Sequence, residues 1–340
     1  MTETFTFDNI LIKPKSKSRV KSRAMVDTTT AFYDIELPMP VLSASMSLFD
    51  TSDTDSNDIF WGFAEAMYAA GGLHVLSRGS TLHERLAASQ VLPDSGIEFG
   101  IAVSYQEFQV HQATLEDTEA FISIDIANGS IIEDIDWQGK YPLILGNFGN
   151  PGVLQRRDLK GELIYKFGIG SGSGCTTRLV TGVGAPQGWL IQEATRWHDK
   201  PIISDGGVKN VGDFVKAVAL GADAVMLGRL FAGAKETPWE PVKIQGRWYK
   251  PYRGMASAEE KKINSYVEGV SGYVPYEDKS VKDIMQELSD GLRSAMAYVD
   301  ALDLPEFQSQ VEFFRVSEED REAQTRLENI KPSDMIGFDE

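Results

Sequence analysis

Residues 201–229 read PIISDGGVKNVGDFVKAVALGADAVMLGR. Two short apolar runs, PIISDGG (201–207) and AVMLGR (224–229), bracket a segment in which Val211, Phe214, Val215 and Val218 recur at helical spacing before Gly221 ends it. Short runs without strict apolar–polar alternation are the signature of strands buried on both faces. The periodic segment between them carries a helix's start and stop signals. The stretch is therefore a strand–helix–strand unit of the kind that builds parallel sheets.

Six further runs of the same character lie upstream: PVLSASM (40–46), LHVLSR (73–78), FGIAVS (99–104), FISIDIA (121–127), LILGNF (143–148) and LIYKFGIG (163–170). Several intervals between them read as helices, the clearest being Ile59–Ala70, with apolar residues at 59, 60, 63, 66 and 67. Eight buried strands alternating with helical segments predict an α/β fold, the (β/α)8 TIM barrel. Over 99–148 the intervening helices look short. VKIQGRWYKPY (242–252) reads as a hairpin turning at Gln245-Gly246, and Lys279–Val299 as an amphipathic helix packed on the barrel. The expected organisation is one catalytic domain, 1–315, followed by a charged tail, 316–340.

The chain has 340 residues, 42% of them hydrophobic, enough for a sizeable core. Its net charge of −17 argues against nucleic acid or an anionic membrane as partner. There is no apolar run of about 18 or more residues and no signal-like N-terminus, so a cytoplasmic protein is expected. The single cysteine, Cys175, cannot form an internal disulfide.

That cysteine closes the loop GIGSGSGCTTR (168–178) after the sixth run. A lone cysteine is more often an inert, buried one, but alternating glycines and a following Thr-Thr-Arg are a setting for an exposed, activated nucleophile. In a barrel, functional groups sit at the carboxyl ends of strands. Ser45, Asp125, Asn147, the cysteine loop, Asp205 and Gly228 all fall there. Asp205-Gly206-Gly207 and Gly228-Arg229 follow strands 7 and 8, the recurrent phosphate position, where glycine amides approach phosphate oxygens and Asp205 accepts from ribose hydroxyls.

Other signals fail. The glycine loop lacks the spacing of a dinucleotide fingerprint and the Gly-Lys-Ser/Thr ending of a P-loop. DTDSND (53–58) has Asp58 where a calcium loop needs Gly. The histidines show no paired ligand spacing. Lys166, the nearest candidate for a Schiff-base lysine, lies within the sixth strand and not at its end.

GIGSGSGCTTRLVTGVGAPQ, ISDGGVKNVGDFVKAVALGADAVMLGRLFAG and YRGMAS, with FDNILIKPKSKSRVKSRAMVDTTT near the start and EGVSGYVPY near the end, resemble the inosine monophosphate dehydrogenase and guanosine monophosphate reductase family over about residues 5–315. Val20–Arg23 with Val26-Asp27, DIANG (125–129) and TGVGAPQ (181–187) are similar to the reductase branch. No regulatory domain interrupts the chain after strand 2. Only ten residues, none of them Arg, separate Ser257 from Glu268, where the dehydrogenase branch carries a long flap with a water-activating Arg-Tyr pair. EGVSGYVPY is closer to the dehydrogenase wording. Ser171, Gly174, Arg229 and Ser265 depart from the family pattern.

The resemblance implies NADPH-dependent reductive deamination of guanosine monophosphate, or a close guanine nucleotide, through a covalent cysteine intermediate. Cys175 would attack C2 of the purine, with Thr177 and Glu268 as proton relay. Ser173, Asp205, Gly206, Gly207, Gly228, Arg229, Gly254, Met255, Ala256 and Gly269 would hold the purine nucleoside monophosphate. Asp125, Ile126, Ala127, Ser294 and Arg78 would meet the cofactor, joined by Ser22 and Arg23 from a neighbouring subunit of a homotetramer. A monovalent cation, potassium, would sit on Gly170, Gly172 and Cys175 with Arg178 alongside. The alternatives left open are an NAD-dependent inosine monophosphate dehydrogenase and a catalytically silent nucleotide-binding protein.

Overall fold

A computed structural model describes residues 3–50, 61–91, 96–197, 200–253 and 271–317. Eight strands form one parallel sheet: β1 (Val41–Ser43), β2 (His74–Leu76), β3 (Phe99–Val103), β4 (Phe121–Asp125), β5 (Leu143–Phe148), β6 (Leu163–Phe167), β7 (Ile202–Asp205) and β8 (Ala224–Leu227). Around the ring β1 pairs with β8, which pairs with β7, and so on down to β2. A parallel bridge between Leu42 and Leu73 closes the circle. The fold is the (β/α)8 TIM barrel, and each of the eight apolar runs contains its strand.

The runs overshoot at their carboxyl ends. PVLSASM yields a strand only over Val41–Ser43, and PIISDGG only over Ile202–Asp205. The ladders stop at Ser43 opposite Leu227 and at Asp205 opposite Met226, and the remaining residues of each run belong to the loops that follow.

Alternation along the strands divides the core in two. Leu42, Val75, Ala102, Phe121, Ile144, Ile164, Ile203, Ala224 and Met226 form a cluster inside the barrel. The intervening residues, such as Ile122, Leu145, Tyr165 and Val225, join the larger layer between strands and helices. The antiparallel hairpin Thr30–Phe32 and Ile35–Leu37 sends Phe32 and Leu37 into the inner cluster and stops its amino end. The Tyr33 hydroxyl fixes the plug, donating to the Leu163 carbonyl and accepting from the Leu163 amide, both at 2.9 Å.

Outside lie α1 (Gly62–Ala69), α2 (Leu82–Val91), α3 (Tyr105–Glu116), α4 (Gln187–Arg196), α5 (Val211–Ala219), α6 (Val281–Tyr298) and α7 (Leu304–Gln310). Their starts are written in the sequence. Ser104 with Glu107, and Ser280 with Asp283, form capping boxes on α3 and α6, and the Asn210 side chain caps α5. The crossovers after β4 and β5 carry 3-10 turns, Gly129–Ile131 and Pro151–Gln155, in place of α-helices. The predicted hairpin is present, Val242–Ile244 against Arg247–Arg253, with Gln245 and Gly246 both at positive φ. It gains an unanticipated third strand, Ser271–Pro275.

The acidic loop 53–58, Gly254, Met255, Ala256, Ser265, Glu268 and Gly269 lie outside the described residues, as does the tail beyond Ser317. Among the described residues no helix is long and apolar enough to cross a membrane.

Asp223 enters β8 at the foot of the barrel, where its carboxylate accepts the Ile202 amide at 2.7 Å. Burial pushes its carboxyl up from 3.8 to about 6, more than its hydrogen bonds to the Ile202 and Asp223 amides pull it down. A raised carboxylic pKa stabilises the fold below the unfolded value, and that contribution is lost as pH rises through about 6. At roughly 1.4 kcal/mol per unit the loss is on the order of 2–3 kcal/mol. Asp223→Asn should therefore gain thermal stability relative to the parent between about pH 4 and pH 7, measured as the difference in Tm across that range. A constant difference would count against the assignment.

Candidate active site

One pleat above the apolar inner cluster on β6 and β7, the inward positions become charged. They are Lys166 on β6, after Ile164, and Asp205 on β7, after Ile203. Asp125 ends β4 in the same sense. The Lys166 ammonium is paired with an Asp125 oxygen and lies 3.7 Å from Asp205 Oδ2. The outer ends of this chain are held by neutral donors. Ser45 Oγ donates to Asp125 Oδ2, and Asn147 Nδ2 donates to Asp205 Oδ2 at 2.6 Å.

Burial alone would raise the Asp125 carboxyl. The Lys166 charge, hydrogen bonds from Lys166 and Ser45, and the Arg78 charge outweigh it and hold the group below its ordinary value. Asp205 is pushed upward, because its burial and the Asp125 charge exceed the relief from Lys166 and Asn147. Lys166 itself is held charged: burial lowers its pKa, but the two carboxylates raise it further. Two carboxylates against one ammonium leave a net negative floor.

Above this floor lies the loop that follows β6. The buried Gln187 amide anchors its root, donating to the Phe167 carbonyl at 2.9 Å and to Ser204 Oγ at 3.1 Å. Ser171 Oγ donates to the Asp205 carbonyl at 3.0 Å, and the Cys175 amide to the Gly172 carbonyl at 3.0 Å. These bonds present the half-buried Cys175, whose thiol donates to Thr177 Oγ1 at 3.1 Å. Thr177 opens the one-turn helix Thr177–Thr181. Gly206, at φ +83°, makes the loop's approach possible. A Cβ there would meet Ser171 Oγ at 2.7 Å and the Gly172 amide nitrogen at 2.9 Å.

Floor and loop enclose a cavity of about 360 Å³ at the carboxyl end of the barrel. Its wall includes Arg78, Asp125, Ile126, Ala127, Gly170, Gly172, Cys175, Thr177, Asp205 and Gly206, all expected from the sequence. Ser173, Gly207, Gly228 and Arg229 do not line it. Ser173 and Arg229 are exposed, Gly207 packs on Gln187, and Gly228 faces Met46, itself a wall residue.

Ser22, Arg23 and Ser294 are also away from the cavity. Ser22 caps the turn Arg23–Met25, Arg23 pairs with Asp290 of α6 at 3.7 Å, and Ser294 lies one turn further along α6. The Arg178 guanidinium donates to the Ala185 carbonyl. The guanidinium has no lone pair to offer a cation, so Arg178, like Gly170, Gly172 and Cys175, could offer such an ion only its backbone carbonyl, a hard oxygen donor.

The wall also includes Ser45, Asn147, Lys166 and Tyr252, to which the sequence assigns no role in the site. Ser45 and Asn147 read from sequence only as strand ends, and Lys166 only as a poorly placed Schiff-base candidate. Tyr252 arrives from the hairpin. Its phenol is raised by burial, more than the Arg229 charge and a hydrogen bond from the Gly174 amide lower it.

A barrel with a half-buried thiol, a hydroxyl partner and an anionic floor around a small-molecule cavity has the layout of the enzymes that act at the carboxyl face of this fold. Comparison with known proteins narrows the class. Residues 4–325 match the description IMP dehydrogenase / GMP reductase domain, and the chain belongs to that family of oxidoreductases. It is 32% identical over 316 residues to a GMP reductase of Lactobacillus gasseri, covering 89% of this chain and 92% of the relative. It is 31% identical over 313 residues to a GMP reductase of Streptococcus agalactiae, covering 88% and 91%. It is 46% identical over 219 residues to an inosine-5'-monophosphate dehydrogenase of Aquifex aeolicus, which takes in 58% of this chain and only 44% of that enzyme.

Gly206→Ala should displace the cysteine loop. Positive-φ strain and the close contacts together should cost about 1–3 kcal/mol in urea unfolding, with faster alkylation of Cys175. Parent-like stability and cysteine reactivity would refute this account of the loop.

Proposed function

We propose that the protein reduces a guanine nucleoside monophosphate at C2, releasing ammonia and forming inosine monophosphate. The observation that carries this reading is the Cys175–Thr177 pair, 3.1 Å apart, set over Asp205 at the wall of a nucleotide-sized cavity. Near full-length similarity to proteins named GMP reductase supports the direction.

In this reading the Cys175 thiolate adds to C2, and the 2-amino group leaves with a proton supplied through Thr177 and Glu268. Asp205 accepts from the ribose hydroxyls, while the amides of Gly206 and Gly207 and the loop carrying Gly228 and Arg229 take the phosphate toward the rim. The same reading gives Ser173, Gly254, Met255, Ala256 and Gly269 to the nucleotide.

NADPH, when bound, supplies the hydride that C2 receives before the cysteine departs. Arg78, Asp125, Ile126 and Ala127 fit its nicotinamide end. The rest of the dinucleotide would extend from there toward the rim. There Ser22 and Arg23 of a neighbouring copy in a homotetramer would meet it, whereas Ser294, expected from the same copy, lies on α6 away from the cavity. Potassium would rest on the carbonyls of Gly170, Gly172 and Cys175 and hold the cysteine loop in shape.

A second reading, the dehydrogenase, is favoured by the 46% identity to the Aquifex aeolicus enzyme. Purified protein with NADPH and guanosine monophosphate should consume reduced cofactor and release ammonia. Formation of NADH from NAD and inosine monophosphate instead would establish the second reading. Cys175→Ala should lower kcat by about 10⁴-fold or more while retaining nucleotide binding, and Thr177→Val by about 10²- to 10⁴-fold. Turnover persisting in the cysteine variant would sink the covalent route.

A further inference from the structure

Lys166 is the buried charge that the proposed chemistry leaves without a task. Its side chain is 1% exposed, inside a barrel whose other inward residues at the level below are apolar. An ammonium there is costly unless it is fully paired. The barrel makes room for it. Gly146, its partner on β5, lacks a side chain, and a Cβ at that position would lie 2.7 Å from Lys166 Cβ and 3.0 Å from Cε. The lysine stem occupies the space the glycine leaves.

The ammonium also has a particular place in the site. Ser45, Asp125, Lys166, Asp205 and Asn147 form one unbroken line across the top of the barrel, with Lys166 in the middle. The two carboxylates it joins are the ones assigned above to cofactor and to ribose. Arg78, Cys175 and Tyr252 face the same cavity from other loops, and Arg229 lies beyond Tyr252. Among the described residues, Lys166 is the cation paired with either carboxylate.

We propose that Lys166 is a positioning residue whose charge offsets the repulsion between Asp125 and Asp205 and orients both, so that Asp205 is presented to the ribose of the nucleotide. The inference rests on the purine-nucleotide reading above and adds a role that neither the cysteine nor the relay fills. Without the ammonium, two carboxylates would face one cavity, and repulsion would raise the proton affinity of the pair into the neutral range. At low pH the pair would hold one proton and carry the same net charge as the parent site. At higher pH it would carry an extra negative charge opposite the nucleotide, with no cation to orient it.

The test is calorimetric binding of guanosine monophosphate and inosine monophosphate, without cofactor, to the full chain and to Lys166→Met, Asp125→Asn and Asp125→Asn/Lys166→Met. The ratio of variant to parent Kd removes the ligands' own titration. For Lys166→Met that ratio should rise about tenfold or more between about pH 6 and pH 8.5. Asp125→Asn in the same chain should flatten it, because the repelling charge is gone.

A Lys166→Met ratio that stays flat, or a loss of affinity that Asp125→Asn does not relieve, would overturn the proposal and leave the lysine as packing. If Lys166→Met does not fold but the double variant does, the rescue supports charge balance. Failure of both to fold would assign the lysine to the scaffold and overturn the proposal. A parent protein that binds neither nucleotide would overturn the functional reading itself, an outcome separate from any behaviour of the variants.

Discussion

Parallel strands that close into a ring must all point the same way, and this one constraint governs the rest of the molecule. Each strand of the barrel ends at the same rim, so the loops leaving β1, β2, β4, β6 and β7 share a cavity wall with Asn147 near the end of β5. Closure also decides what can be inside. Eight strands leave room for side chains and nothing else, and the lower layers are filled with Leu42, Val75, Phe121, Ile144 and their neighbours. Charge enters only where the ring begins to open. There Asp125, Lys166 and Asp205 replace apolar residues and meet partners reaching across the ring from several strands.

The cavity follows from how that opening is roofed. The loop after β6 would be free to swing if its glycines were its only feature. Its root is tied by Gln187, its middle by Ser171 to the backbone of Asp205, and its far side by Arg178 to Ala185. Its flexible composition serves close approach: a glycine at 206 lets the two loops touch. The loop that carries the Cys175 thiol is thus held by a contact to Asp205, the residue proposed to receive the ribose. Placement of the nucleotide and of the thiol are therefore one geometric problem.

Much of this was readable from the chain. Strands buried on both faces announce themselves as apolar runs, and all eight were found with errors mainly at their carboxyl ends. The cysteine loop, Asp205 and Asp125 followed from the rule that barrel strands end at the site. Lys166 did not, because LIYKFGIG is apolar on both faces and its phase is invisible: nothing in it says that Lys166 looks inward while Tyr165 and Phe167 look outward. Asn147 and Ser45 were visible as strand ends, but their bonds to Asp205 and Asp125 span 58 and 80 residues. Only the closed ring brings them together. Tyr252 depended on an antiparallel sheet whose third strand carries no strong signal of its own. Ser22, Arg23 and Ser294 lie away from the cavity, on the turn Arg23–Met25 with its cap and on α6, a placement that no local pattern in the sequence announces.

The small hairpin at the foot of the barrel has a further consequence. With Phe32 and Leu37 seated in the inner cluster, the barrel is a cup and not a tube. The apolar layers above this plug are themselves filled by side chains, so the foot of the barrel bears on stability while the cavity wall is built from the opposite end of the strands.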